Sequence, residues 1–346
     1  MTVKEEKETY MEQPSDIDDD ILLRVENIKK YFPIKSGILK RTVGHLKAVD
    51  DISFHIYKGE TLGIVGESGS GKSTLGRVIL KLLEPTDGKI IFKNLDITNL
   101  SNRELRPMRK DMQIIFQDPF ASLNSKMSVG ELIEEPLIVQ DNFTKEERKE
   151  KVINMLEKVG LRESDRVKYP HEFSGGQRQR ISIARALIMN PEFVICDEPV
   201  SALDVSIQSQ VLNLMSDLQD DLGLTYLFIA HDLSVIKHFS DRVAVMYLGK
   251  IVELTSKEAI YKNALHPYTQ ALLSAVPAID VEESTKKREK IILKGDLPNP
   301  ADPPSGCAFR TRCPFAFDRC ATERPEFLEV EKDHFVACHL YDKEVK

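Results

Sequence analysis

The stretch Gly66-Glu67-Ser68-Gly69-Ser70-Gly71-Lys72-Ser73 fits G-x-x-x-x-G-K-[ST] at every position. An apolar run, Thr61-Leu62-Gly63-Ile64-Val65, leads into it and reads as a strand buried on both faces. After it, Leu75, Val78, Ile79 and Leu82 fall at i, i+3, i+4 and i+7, the spacing of a helix. Strand, glycine loop and helix in that order make a phosphate-binding unit. The glycines let backbone N–H groups turn inward around phosphate oxygens, and the helix N-terminus adds its positive partial charge. In this reading Gly66, Glu67, Ser68, Gly69, Ser70, Gly71, Lys72, Ser73 and Thr74 hold a nucleoside triphosphate. Lys72 meets the β- and γ-phosphates, and the Ser73 hydroxyl binds Mg²⁺.

A second apolar run, Phe193-Val194-Ile195-Cys196, ends in Asp197-Glu198. A buried strand that delivers two carboxylates at its C-terminal end places them at the ligand edge of a parallel sheet. Asp197 is expected to hold Mg²⁺ and Glu198 to orient or deprotonate the attacking water. Cys196, inside the run, reads as a small core residue. Tyr226 to Ala230 is a further buried strand, and helical patterns cover Thr144 to Val159 and Val211 to Leu222. Strands alternating with helices give an α/β fold with a largely parallel sheet. Ile21 to Val25, Leu46 to Val49 and Asp51 to Ile56 read as separate strands near the start, and residues 118–190 as a helical lobe.

Ser174 and Gln177 have the S-x-x-Q spacing of a capping box and start a helix carrying Ile181, Ala184, Leu187 and Ile188. Gly175 and Gly176 in its first turn leave backbone N–H groups uncovered, which makes a second anion site at a helix start. One nucleotide does not easily use both sites within one chain. A head-to-tail pair of subunits would place this second helix start of each against the other's nucleotide.

The formal net charge of -7 argues against non-specific nucleic-acid binding, which relies on excess Lys and Arg. No apolar run approaches the roughly 18 residues of a membrane span. Residues 1–20 are acidic and polar, read as a disordered tail, and lack the basic start and apolar middle of a secretory signal. The chain is expected in the cytoplasm unless something else holds it at a membrane.

With these motifs the sequence resembles the ATP-binding cassette of ABC transporters over about residues 21–265. The resemblance implies a P-loop NTPase fold: a RecA-like parallel-sheet core, an antiparallel β part and a helical subdomain. Phe173-Ser174-Gly175-Gly176-Gln177 resembles the family signature, with Phe at the usual Leu position. Gln117, in Ile115-Phe116-Gln117-Asp118-Pro119, resembles the Q-loop residue that senses Mg²⁺ and the membrane subunit. Asp204, in Ser201-Ala202-Leu203-Asp204, resembles the D-loop residue at the dimer interface. His231 resembles the switch histidine that contacts the γ-phosphate, and Phe32, or else Tyr31, the aromatic that stacks on adenine. The family's work is transport: ATP closes the dimer, hydrolysis reopens it, and the motion passes to two transmembrane permease subunits. That implies a peripheral place on the cytoplasmic face of the membrane.

His266-Pro267-Tyr268-Thr269 and the extension over residues 266–346 resemble the ATPases of oligopeptide and dipeptide importers, with nickel importers as close relatives. Such importers usually pair two related ATPases, so the resemblance implies a second ATPase subunit, a homodimer being the alternative. It also implies an extracellular peptide-binding protein and no nucleic acid. A soluble ABC ATPase working on nucleic acid or ribosomes usually carries two cassettes or a coiled-coil insertion, and neither is present. The extension holds four of the five cysteines, Cys307, Cys313, Cys320 and Cys338. In a reducing compartment these read as a metal site before disulfides, zinc or an iron–sulfur cluster. Relatives carry a [4Fe–4S] cluster in this extension, so the resemblance favours the cluster, with Zn²⁺ as alternative. Its expected role is a staple for a tail with little core of its own, and a redox-sensing role is the alternative. Arg310, Arg312 and Arg319 around the cysteines read as a solvated face.

Overall fold

The computed structural model describes residues 20–37, 40–140, 143–275, 291–293 and 295–342. Residues 1–19 of the expected acidic tail and the charged stretch 281–290 lie outside the described residues.

Two sheets organise the chain. The smaller is antiparallel, in the order β2-β1-β4-β5: β1 is Ile21–Ser36, β2 Arg41–Tyr57, β4 Asp87–Phe92 and β5 Leu95–Asp96. The larger has eight strands in the order β11-β12-β10-β9-β3-β8-β7-β6. Its parallel half comprises β3 (Thr61–Val65), β6 (Met112–Ile115), β7 (Phe193–Asp197), β8 (Thr225–Ala230) and β9 (Arg242–Tyr247). β3, β7 and β8 are buried along their whole length, as expected of parallel strands covered on both faces. β10 (Lys250–Ser256) turns back antiparallel on β9.

Eleven helices, α1 to α11 in chain order, pack around these sheets among the described residues. α1 (Lys72–Ile79) follows β3, and α2 (Asn102–Leu105) precedes β6. α3 (Pro119–Ser122), α4 (Val129–Gln140), α5 (Lys145–Lys158) and α6 (Gly175–Leu187) form the helical part between β6 and β7. α7 (Val205–Leu222), α8 (Leu233–Phe239), α9 (Lys257–Lys262), α10 (Pro267–Ala275) and α11 (Asp318–Thr322) complete the series. Thr144 caps α5 through a box with Glu147.

Three local expectations change. The segments read as separate strands around Leu46 and Asp51 are one strand, β2, which absorbs a left-handed Asp51 at φ 66° as a register irregularity against β1. α1 stops at Ile79, because Lys81 turns left-handed at φ 53°, and Leu82 is left exposed. α7 starts at Val205 rather than Val211, because the Asp204 carboxylate accepts the Ile207 N–H at 3.0 Å and caps it there.

The extension is built onto the cassette. β12 (His334–Val336) pairs antiparallel with β10, and β11 (Leu328–Glu331) pairs with β12. Glu253 of β10 is fully buried, and its carboxylate accepts the Leu265 and His266 N–H groups at 2.7 and 2.9 Å. His334 Nε2 meets the same carboxylate at 2.8 Å. His266 Nδ1 accepts the Tyr268 N–H at 3.0 Å, so this ring nitrogen is unprotonated. Burial holds the His266 imidazole down to about 4, against the opposing pull of Glu253. The unfolded chain binds a proton there near pH 6.5 and the folded chain does not, so stability falls as pH falls through that window. The loss is at most about 1.4 kcal/mol per pH unit. The melting temperature is expected to drop between pH 7 and pH 5, and to drop less in His266→Asn, whose amide oxygen accepts the same N–H without titrating.

Candidate active site

Four neighbouring parallel strands, in the order β3-β8-β7-β6, end on one edge of the main sheet. β3 runs into the phosphate loop, β8 is followed by His231, β7 ends at Asp197 with Glu198 next, and β6 leads to Gln117. Residues scattered over the sequence therefore meet at one ligand edge because the strands that carry them are adjacent.

The phosphate loop is held in a narrow set of backbone conformations. Gly71 caps α1 with φ 104°, and a Cβ built there would stand 2.0 Å from the Ala48 carbonyl oxygen. Lys72 is buried and donates to the carbonyls of Gly66 at 2.7 Å and Glu67 at 3.0 Å. Burial lowers its pKa, and the carboxylates of Glu198, Asp197 and Glu67 oppose that shift. The Ser73 hydroxyl donates to Asp197 at 2.7 Å. Burial raises the Asp197 pKa, and the bond from Ser73 counteracts it. Glu198 Oε2 accepts from Gln117 Nε2 at 3.1 Å and faces His231 Nδ1 at 3.1 Å. Its backbone is left-handed, φ 48°, a strained conformation of the kind held at functional sites.

A cavity of ≈ 710 Å³ opens over this edge, a size that suits a nucleotide. Glu67, Ser68, Gly69, Gly71, Lys72, Ser73, Thr74, Gln117, Glu198 and His231 line it. Phe32 is on its wall, whereas the Tyr31 hydroxyl is bonded to Asp50. Gly66 and Ser70 are buried and do not line the cavity.

Ser174 caps α6 as expected: its N–H donates to Gln177 Oε1 at 3.0 Å, and its hydroxyl accepts the Gln177 N–H at 3.4 Å. Both side chains are exposed, and neither lines the cavity above the chain's own phosphate loop. Gly176 packs closely on α7, where a Cβ would meet Ile207 at 2.4 Å, and Gly175 precedes it.

In the extension, Cys307, Cys313, Cys320 and Cys338 carry free thiols. Three of them have an N–H from two residues further on at the sulfur: Phe309 for Cys307, Phe315 for Cys313 and Leu340 for Cys338. Burial pushes all three thiols up, Cys338 to about 12, and neighbouring cysteines add to each shift. Even so, among the described residues no group of three or more His, Cys, Asp or Glu side chains is arranged to hold a metal ion.

Of the three arginines expected on a solvated face, Arg312 departs, whereas Arg310 and Arg319 stay partly exposed. Arg312 is 8% exposed and holds both carboxylate oxygens of Glu67, at 3.0 and 2.9 Å. Arg319 pairs with Glu323 at 2.7 Å and Asp342 at 3.0 Å. The Tyr268 hydroxyl accepts the Glu67 N–H at 2.9 Å, and Pro300 lines the nucleotide cavity. Spacing and periodicity carry no signal for these contacts, which join residues some 200 or more positions apart.

Comparison with known proteins agrees with this geometry. The ABC transporter family matches residues 49–201, and the oligopeptide/dipeptide transporter C-terminal region matches residues 252–320. The chain is 59% identical over 323 residues to the oligopeptide transport ATP-binding protein AppF of Bacillus subtilis, covering 93% of this chain and 98% of the relative. It is 53% identical to a putative peptide import ATP-binding protein of Brucella ovis, over 92% of this chain and 97% of that one. Among solved structures, the dimeric post-hydrolysis state of the ATP-binding cassette MJ0796 bound to ADP and Pi superposes with a TM-score of 0.61. That match is at 30% identity and covers 68% of this chain and 98% of the other. The protein accordingly belongs to the ABC ATPases, as an ATP-binding subunit of the transporter branch that carries the oligopeptide/dipeptide C-terminal region.

Proposed function

We propose that this chain drives peptide uptake by hydrolysing ATP at the cytoplasmic face of the cell membrane. It works as a peripheral subunit with two transmembrane permeases, a second related ATPase and an extracellular peptide-binding protein. The relatives named as peptide transport and import ATP-binding proteins support the substrate. Among the described residues no helix is long and apolar enough to cross a membrane. The helical part, residues 118–190, exposes Phe120, Ile138 and Val139, which suit contact with a permease near Gln117. Residues 21–265 form the cassette and 266–346 the extension.

The observation that carries the mechanism is the meeting of Lys72, Ser73, Asp197, Glu198, Gln117 and His231 on one sheet edge. Incoming phosphates take the Lys72 ammonium from the carbonyls it now holds. Ser73 Oγ, Asp197 Oδ1 and the Gln117 amide oxygen are hard oxygen donors of the kind Mg²⁺ takes. When bound, that ion supplies charge neutralisation on the β- and γ-phosphates. Glu198 orients the attacking water and draws its proton, and His231 contacts the γ-phosphate. Phe32 stacks on adenine. Ser174, Gly175, Gly176 and Gln177 close over the nucleotide of the other ATPase, with Asp204 at the interface. The solved cassette that is a dimer bound to ADP and Pi supports this pairing.

The four cysteines fit a [4Fe–4S] cluster in their donor chemistry. They are soft ligands, unpaired in disulfides, and three already receive backbone N–H groups at sulfur. Cys307, Cys313, Cys320 and Cys338 would hold it, and it would staple the extension.

Reconstitution in proteoliposomes with permeases, second ATPase and binding protein tests the whole reading. Peptide-loaded binding protein is expected to raise ATP hydrolysis and to move labelled peptide inward. Peptide-independent hydrolysis with no uptake would exclude peptide transport. Iron and sulfide content of the anaerobically purified protein, and its loss in Cys313→Ser, tests the metal.

A further inference from the structure

Glu67, the second residue of the phosphate loop, is gripped at three points. Its N–H donates to the Tyr268 hydroxyl at 2.9 Å, and its carbonyl accepts from Lys72 at 3.0 Å. Its carboxylate is held by Arg312 Nη1 at both oxygens. Two of the three grips come from outside the cassette proper. Arg312 sits in a rigid setting. Its own N–H and that of Cys313 both return to the Phe309 carbonyl at 3.0 Å. Phe309 is buried against Tyr247, Tyr268 and His266, with ring centroids 5.3, 5.4 and 5.6 Å away. The extension also touches the loop elsewhere: a Cβ on Gly69 would lie 3.7 Å from Leu297, and Pro300 is on the cavity wall.

A solvated salt bridge between two long side chains contributes little. This one differs, because Arg312 is nearly buried and its partner belongs to the loop that must wrap the phosphates. Fixing Glu67 at its carboxylate fixes the peptide that Lys72 leans on. The loop then loses less freedom when phosphate binds, which is preorganisation.

We propose that Arg312 is a positioning residue for ATP, acting through Glu67 on the phosphate loop and Lys72, so that the extension sets triphosphate affinity. The inference rests on the loop being the ATP site. Loss of binding in Lys72→Ala, measured alongside, tests that premise separately.

The test is a double-mutant cycle on the full chain with a fluorescent ATP analogue, using Arg312→Met, Glu67→Gln and both together. ATP hydrolysis and melting temperature are read in parallel. Each single change is expected to weaken ATP binding about 5- to 20-fold, in the range of coupling between linked sites. The double change is expected to lose no more than either single one, because they act as a unit. KM for ATP rises with kcat nearly constant, the pattern of lost binding rather than lost chemistry. Arg312→Lys restores part of the affinity, since it keeps the charge without the fork. Glu67→Gln removes the same carboxylate pairing with Arg312 in place, so the proposal remains testable if Arg312→Met folds poorly. Parental ATP affinity in Glu67→Gln overturns the proposal. So does an Arg312 variant that loses melting temperature alone, or a double change whose losses simply add.

Discussion

Glu198→Gln is expected to keep ATP bound while hydrolysis falls by about 10²- to 10⁴-fold, the usual worth of a positioned general base. The carboxylate sits between the Gln117 amide at 3.1 Å and His231 at 3.1 Å, at the end of a fully buried strand. Glutamine has nearly the same shape and keeps the oxygen that accepts from Gln117, but it does not take a proton from water. Its backbone demand is the same left-handed φ of 48°, so folding should change little. Single-turnover hydrolysis and equilibrium binding on the same preparation separate the two effects. A variant that hydrolyses at the parental rate removes Glu198 from the chemistry.

Gly71→Ala is expected to weaken nucleotide binding by at least about tenfold and to destabilise the fold by about 1–3 kcal/mol from backbone strain alone. The reason is steric and local. Gly71 stands at φ 104°, and the added Cβ would be 2.0 Å from a backbone oxygen of β2, which has no side-chain freedom to yield. Relief requires moving either the loop or β2, and the loop is what wraps the phosphates. Nucleotide titration and thermal melting of the variant check both halves. By contrast, an added Cβ at Gly59, also left-handed at φ 75°, meets nothing within 4 Å.

How much of this is legible in the sequence depends on range. The phosphate loop, the Asp197-Glu198 strand end and the Ser174–Gln177 box are local patterns, and each stands where its spacing predicts. The alternation of strands and helices predicts the parallel sheet, and strand adjacency then brings Gln117 and His231 to Glu198. Element ends are less legible. α1 stops at Ile79 because of one left-handed lysine, although Leu82 continues the apolar period. Asp51 looks like a break between strands, yet β2 runs through it. Least legible are the contacts of the extension. Arg312 has no neighbour in sequence that hints at Glu67, and an arginine beside cysteines looks solvated until the chain is folded. That Phe32 lines the cavity while the Tyr31 hydroxyl turns to Asp50 is likewise visible only in the fold.

In the proposed function two anion-binding helix starts, α1 of one ATPase and α6 of another, meet on a shared nucleotide. The most direct measurement is a structure of the assembled complex carrying Glu198→Gln, trapped with ATP and Mg²⁺. The expected result is Ser174 Oγ and the glycine N–H groups after it at hydrogen-bond distance from the γ-phosphate held by the opposing phosphate loop. A closed, ATP-bound complex in which Ser174 faces solvent, away from every phosphate, would contradict it.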